Sequence, residues 1–159
     1  CQIGPFSHIR PKSVLGSNLT IGAYVEIKNS SIGDFSRARH LTYVGDSKVG
    51  RNVNFGCGTV TCNYDGQDKT ACIIGDNVFI GGNSNLISPV HLHDNSYVAA
   101  GSTITEDVPE LGLAIARTHQ VIKENWVAQK NRLRSSDLIP PDRFRGYKGT
   151  PTDHMHKEE

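Results

Sequence analysis

Arg10 and Lys28 stand 18 residues apart, each directly after an isoleucine, Ile9 and Ile27. If three six-residue units close one turn of a coiled chain, residues 18 apart stack one turn above the other. The separation is then about 4.8 Å, the inter-strand spacing of a sheet. Two cations so placed repel each other unless an anion lies between them. The pair therefore predicts an anion-binding corner. In the same register Val44 follows Ile27, which brings Tyr43 to that edge. The next turn brings Val60 and Thr61, directly before a polar segment with Asn63, Tyr64 and Lys69. His40 lies three residues upstream of Tyr43, on the adjoining face. With an ordinary pKa of ~6.5, a histidine can take and return a proton near neutral pH. Another histidine pattern opens a second reading. His91 and His93 alternate like ligands on one strand face, and His154 and His156 repeat that spacing. Zinc would still need a third ligand and oriented partners behind it.

These placements depend on a repeat. An aliphatic residue recurs every six positions, often followed by Gly. The run is Ile3, Ile9, Leu15, Ile21 and Ile27, then Ile32, Ala38, Val44, Val49, Phe55 and Thr61. It resumes as Ile74, Ile80, Leu86, Leu92, Val98 and Ile104. Period six fits neither the 3.6 of a helix nor a plain alternating strand. It fits a short strand plus a corner, with one large aliphatic side chain inward per unit. Gly after that residue helps the chain turn. Hexapeptide repeats of this kind mark β-helices.

Spacing falls to five at 27→32 and 44→49, which predicts two tightened corners. Between Thr61 and Ile74, the stretch from Cys62 to Lys69 does not read as a coil and predicts a projecting loop. Within it, Asp65-Gly66 is ordinary turn chemistry. The repeat fades through Pro109. Val121, Trp126, Val127 and Leu133 then predict a helix over 120–134, and Pro140, Pro141, Gly146, Gly149 and Pro151 an extended or disordered tail. The expected organisation is a β-helix over 1–110, an arm with a helix over 111–135 and a tail over 136–159.

Composition narrows the function classes. The 17 basic and 16 acidic side chains give no reason to expect nucleic acid or an anionic membrane surface as partner. No apolar run approaches the ~20 residues of a membrane span, so no membrane insertion is expected. Hydrophobic content of 36% with 16 Gly suits a fold that buries one residue in several and turns often. Cys1, Cys57, Cys62 and Cys72 form no C-x-x-C pair, which reads as free thiols in a reducing cytosol. The repeat is already running at Cys1, so a preceding part is expected to be missing.

His40-Leu41-Thr42-Tyr43-Val44-Gly45-Asp46 and Thr61-Cys62-Asn63-Tyr64-Asp65-Gly66 resemble the signature of a known family. It is the bifunctional UDP-N-acetylglucosamine pyrophosphorylase / glucosamine-1-phosphate acetyltransferase family. Gly4-Pro5-Phe6, Ile9-Arg10-Pro11, Val25-Glu26-Ile27-Lys28 and Ala114-Ile115-Ala116-Arg117 match in the same order. The resemblance implies an all-β, left-handed parallel β-helix with three units per coil. It implies acetyl transfer from acetyl-CoA to the amine of glucosamine-1-phosphate, for cell-wall precursor synthesis, by a cytoplasmic homotrimer with sites between subunits. By position, His40 falls on the general base. Arg10, Lys28, Tyr43, Asn54 and Lys69 fall where the family grips the sugar phosphate. Cys57, Asn63, Tyr64, Gly82, Ala100 and Arg117 fall on acetyl-CoA positions. Cys57 replaces a common Ala, Gly82 a common Ser, and Arg39 a small Gly. No metal is implied here. Magnesium belongs to the family's uridyltransferase domain, which is absent from this chain, so UTP consumption is not expected. In relatives the C-terminal arm reaches a neighbouring subunit, so Trp126 either helps close that subunit's acetyl-CoA pocket or docks on its own prism. Other readings are a different hexapeptide acyltransferase, a zinc carbonic anhydrase-like β-helix using His91 and His93, and a non-catalytic trimeric scaffold.

The implied chemistry suits these residue types. An amine attacks a thioester only when neutral, so a base must remove its proton. Negative charge develops on the thioester oxygen, and Asn63 or a nearby backbone amide could donate to it. Arg10 can grip a phosphate through two N–H groups, while Lys28 acts as a point charge.

Overall fold

The computed structural model describes residues 1–129. A strand of two to four residues cannot hold itself together, so each must borrow hydrogen bonds from its neighbours. Here each strand pairs in parallel with the third strand before and after it, except that the last pairs with the second before it, and three flat faces result. The first face has seven strands: Gln2–Ile3, Thr20–Ala23, Arg37–His40, Asn54–Phe55, Phe79–Ile80, Tyr97–Val98 and Leu113–Ala114. The second has six: His8–Ile9, Glu26–Lys28, Tyr43–Gly45, Val60–Cys62, Asn85–Ile87 and Thr103–Ile104. The third has five: Val14–Leu15, Ser31–Ile32, Lys48–Val49, Cys72–Ile74 and Val90–Leu92. This three-sided solenoid is consistent with a left-handed β-helix.

The repeat positions form the core. Ile27 lies in register between Ile9 and Val44, and Leu86 between Thr61 and Ile104. Ile27, Val44, Ile80, Leu86 and Leu92 are fully buried. Each unit from Ile21 onward has a second inward position two residues earlier, filled by Leu19, Val25, Val53, Val78 and Val90 in some units and by a small hydroxyl residue in others. Ser30, Ser36, Thr42, Ser47, Thr59, Ser84, Ser96 and Ser102 are buried there. Most hydroxyls satisfy themselves against corner backbone, as Ser47 Oγ does by donating to the Gly45 carbonyl at 2.7 Å. A hydroxyl buried without such a partner would cost about 1–3 kcal/mol.

The glycines that follow core residues serve a different purpose from the one expected. Gly22 and Gly33 have no positive φ. Instead the next coil presses on them. A Cβ on Gly33 would lie 2.5 Å from the Gly50 carbonyl, and one on Gly22 would overlap the Arg39 carbonyl. The corners themselves are turned by residues in the left-handed region, including Tyr24, Leu41, Asn29 and Asp46. The two five-residue spacings are the Asn29 and Asp46 corners, with φ of 46° and 49°.

The coil runs further than the repeat suggests. Val108 is buried and bridges to Leu92, and Leu113–Ala114 adds a strand to the first face. The compact unit ends at Thr118. In the second unit, residues 120–125 are not helical, contrary to expectation, and a helix spans only Trp126–Gln129 among the described residues. Leu133 and the expected tail lie outside the described residues. No helix among them is long and apolar enough to cross a membrane. Replacing Ile27, which is 0% exposed, with Ala should lower stability by ~2–5 kcal/mol, the usual range for a large-to-small core change. Chemical denaturation measures it, and a loss under 1 kcal/mol would mean that the column does not carry the core.

Candidate active site

Arg10 and Lys28 stack at the corner between the second and third faces, as their spacing predicts, because Ile9 and Ile27 are in register. The pair does not need a bound anion, however. Each cation has its own carboxylate. Arg10 Nη1 donates to Glu26 Oε1 at 2.9 Å, and Lys28 Nζ to Asp46 Oδ2 at 3.1 Å. The Arg10–Glu26 pair is 41% and 38% exposed, a setting in which an ion pair contributes only about 0–1 kcal/mol, so an incoming anion can compete for the guanidinium. Lys28 is better shielded. Its bond to Asp46 holds the ammonium above its ordinary pKa of 10.5, outweighing a desolvation that lowers it. Burial pushes the Asp46 carboxyl up, but hydrogen bonds from Asn29, Lys28 and Asn63 outweigh that and hold it below its usual range.

A pocket of about 350 Å³ opens at this corner, lined by Arg10, Pro11, Lys12, Lys28, Asn29, Asp46 and Lys69. Four cations against one carboxylate make it electropositive. Lys69 comes from the projecting loop, which is a small hairpin. Tyr64 and Lys69 bridge antiparallel, and Thr70 N donates to the Asn63 carbonyl at 3.0 Å. The turn is made as Asp65-Gly66 predicts. Asp65 Oδ1 accepts from the backbone N–H of Gln67 and Asp68 at 2.8 and 2.7 Å, and Gly66 has a φ of 107°. At the base of the loop Asn63 is buried and its Nδ2 donates to Asp46. Tyr64 is exposed and donates to the Gly66 carbonyl at 2.6 Å.

Tyr43 is in register with Glu26 rather than Lys28, so its backbone is two residues short of the cation column, where Gly45 stands. Its ring crosses the gap by lying over Gly45, where any Cβ would overlap the hydroxyl and ring. Lys28 registers the proximity of Tyr43 electrostatically.

The other edge of the second face carries His40. It ends the strand Arg37–His40, directly before Leu41, whose φ of 45° turns the corner. Leu41 N donates to the Ala23 carbonyl at 3.0 Å, Gly58 N to the Leu41 carbonyl at 3.0 Å, and Thr42 Oγ1 to the His40 carbonyl at 2.7 Å. The backbone around His40 is thus clamped from the coils on both sides. Its imidazole is exposed and makes no hydrogen bond among the described residues. Arg39 is also exposed. Below His40 the same corner presents small residues. Asn83 N donates to the Cys57 carbonyl at 2.7 Å, and Gly101 N to the Gly82 carbonyl at 2.8 Å, which aligns Cys57, Gly82 and Ala100 in one column. A Cβ on Gly82 would meet the Cys57 carbonyl at 3.1 Å, so the column is narrow there. A Cβ on Gly101 would lie 4.0 Å from Arg117 Cδ, which puts Arg117 at the column's end.

One chain therefore gathers Arg10, Lys28, Tyr43, Asn63 and Lys69 on one edge, with His40, Cys57, Gly82, Ala100 and Arg117 on the other. Asn54 joins neither. It faces outward on the first face, in register with Arg37 and Phe79. Sequence reasoning missed Asp46 and Glu26 as the counterions of the pair, and Gly45 as the gap that Tyr43 fills. The shortened spacing at 44→49 was the available signal for Asp46. All four cysteines are free. His91 and His93 do meet, with ring centroids 3.7 Å apart. No group of three or more potential metal ligands occurs among the described residues, and His154 and His156 lie outside them. Gly45→Ala should swing Tyr43 away with little loss of stability, because only a side chain must move. If the corner takes a phosphate with the help of the Tyr43 hydroxyl, affinity for inorganic phosphate should fall about tenfold, the worth of one hydrogen bond to a charged group. Titration calorimetry reads this, and unchanged affinity would remove Tyr43 from the corner's function.

Comparison with known proteins bears on what these edges do. Residues 71–106 match the family described as bacterial transferase hexapeptide (six repeats). The chain is 62% identical over 133 residues to the bifunctional protein GlmU of Acetivibrio thermocellus, covering 84% of this chain and 29% of that protein. It is 58% identical over 132 residues to the bifunctional protein GlmU of Clostridium botulinum, covering 83% and 29%. The chain thus spans under a third of the length of these relatives. Among solved structures, it is similar to a His-to-Ala variant of GDP-perosamine N-acetyl transferase from Caulobacter crescentus in complex with CoA and GDP-perosamine. The TM-score is 0.64 at 25% identity, over 72% of this chain and 52% of that one. The acetyltransferase domain of PglB from Neisseria gonorrhoeae, in complex with acetyl coenzyme A, has a TM-score of 0.65 at 17% identity, over 72% and 53%, and shares the fold alone. The coil and the identity along most of its length together make this chain similar to the hexapeptide-repeat part of the bifunctional GlmU proteins.

Proposed function

We propose that this chain transfers an acetyl group from acetyl-CoA to the amine of glucosamine-1-phosphate, giving N-acetylglucosamine-1-phosphate. The observation that carries the reading is the pairing of two edges across one face. One is an electropositive pocket sized for a small phosphate ester, and the other is an exposed histidine above a column of small residues. Acetyl-CoA supplies the activated acyl group. Cys57, Gly82 and Ala100 leave room for an extended ligand along the corner, and Arg117 offers a charge at its end. The CoA and acetyl-CoA in the two structural neighbours fit that use.

The sugar phosphate enters the opposite pocket. Arg10 releases Glu26 in part and turns free N–H groups to the phosphate. Lys28 has three ammonium protons and commits one to Asp46, so others remain for the anion. Lys69 adds a third charge from the loop. His40 then takes the proton from the amine as the nitrogen bonds to the thioester carbonyl carbon; the C–S bond breaks, CoA leaves as its thiolate, and the proton on His40 passes to that sulfur. Holding both substrates in line contributes rate beyond that of the base.

The working form is a homotrimer on this reading. A single chain leaves Asn54 a face away from the sugar-phosphate pocket, so only a second copy can bring it there. The first face also exposes Phe79 and Tyr97, stacked at 5.2 Å, as apolar contact surface.

His40→Asn should lower kcat by ~10²–10⁴, the usual contribution of a positioned base, because an amide cannot accept the proton. Acetyl-CoA affinity and melting temperature should hold, since His40 is exposed and outside the core. Normal turnover in this variant would end the base assignment. Arg10→Ala should cost ~1.5–3 kcal/mol in the use of glucosamine-1-phosphate and much less with unphosphorylated glucosamine. Equal losses on both substrates would show that Arg10 does not read the phosphate.

A further inference from the structure

We infer that Asp46 is a positioning residue for this site: its carboxylate fixes the Lys28 ammonium and the Asn63 carboxamide relative to each other, and so ties the phosphate corner to the projecting loop. The inference rests on the proposal that this corner binds a sugar phosphate.

The argument begins with what Asp46 does differently from its counterparts. Asp34, Asp65, Asp76, Asp94 and Asp107 all accept hydrogen bonds from backbone N–H groups. Those are structural caps that hold corners and turns. Asp46 accepts from three side chains, namely Lys28 Nζ at 3.1 Å, Asn29 Nδ2 at 2.6 Å and Asn63 Nδ2. Two of the three belong to the proposed site. A carboxylate has two oxygens and about four acceptor positions, so one group can hold all three donors at once. Its own place is fixed by the five-residue corner, where φ is 49° and Asp46 N donates to the Lys28 carbonyl at 2.9 Å. The side chain is 13% exposed and lines the pocket. Ammonium rotamers are otherwise loose, and a Lys on a flexible stem loses several when it is held. Asp46 makes that selection before any ligand arrives, which is preorganisation.

Asp46→Asn sets two effects against each other. Removing a negative charge beside an anion site should by itself tighten anion binding. Removing the anchor of Lys28 and Asn63 should weaken it, because an amide offers a single acceptor oxygen and turns an NH₂ toward the other donors. Positioning predicts that KM for glucosamine-1-phosphate rises at least tenfold while kcat changes by less than fivefold. It also predicts that Lys28→Ala with Asp46→Asn loses less than the product of the two single losses, since part of what Asp46 does runs through Lys28 and the rest through Asn63. An unchanged or lowered KM, or losses that multiply in the double variant, would overturn the assignment. Calorimetry with inorganic phosphate covers the case in which the wild-type chain does not turn over glucosamine-1-phosphate. That result would reject the proposed function, while Asp46→Asn weakening phosphate binding would still support the positioning role, and equal or tighter phosphate binding would still refute it.

Discussion

The hydrogen bonds between successive coils fix everything else in this molecule. Each coil is too short to hold a core alone, and its strands find partners only in the coils above and below. Once Ile9 pairs with Ile27 and Ile27 with Val44, every residue at a given place in one coil lies beside its counterpart in the next. The vertical column, rather than the strand, becomes the unit of chemistry. Inward columns are apolar and make the core. Outward columns at the corners collect whatever side chains the sequence repeats there.

The corner beside the third face shows how such a column acquires function. Stacking brings Arg10 and Lys28 together, which is unfavourable in itself. The sequence answers with Glu26, two residues before Lys28 in the same strand, and Asp46 one coil on. The result is a cation pair that is stable when empty and still has N–H groups to offer. Shortening the corner to five residues puts Asp46 where it can face Lys28, Asn29 and the base of the loop together. At the other corner the same stacking aligns the short side chains of Cys57, Gly82 and Ala100 below His40. Tyr43 reaches the cation corner by lying across a glycine.

Much of the fold was legible because period six is a direct consequence of the geometry. Every repeat position from Ile3 to Ile104 falls in a strand. The second inward position was not legible where it is polar, since Ser30 or Ser84 looks like any surface serine until the backbone around it closes. The strand at Leu113–Ala114 was hidden by the irregular step through Val108. The helix was expected from apolar spacing over 120–134, yet 120–125 is not helical; apolar spacing says where a helix would be amphipathic, not whether one forms. Within the site, the Arg10–Lys28 stack followed from an 18-residue separation. The roles of the other residues came from likeness to a family, which assigns positions without saying which edge they share.

The sequence by itself determined the coil, its register and the identity of the corner columns, because each depends only on spacing along the chain. Tertiary structure alone decided the pairing of charges, the bridge of Tyr43 over Gly45 and the separation of Asn54 from the rest. Those depend on side-chain direction and on contacts between residues 16 to 25 apart, whose geometry no periodicity encodes. Asp46 shows the difference most clearly. In sequence it is one of several aspartates in turn-like surroundings, and only the closed coil reveals that its partners are side chains of the site rather than backbone amides.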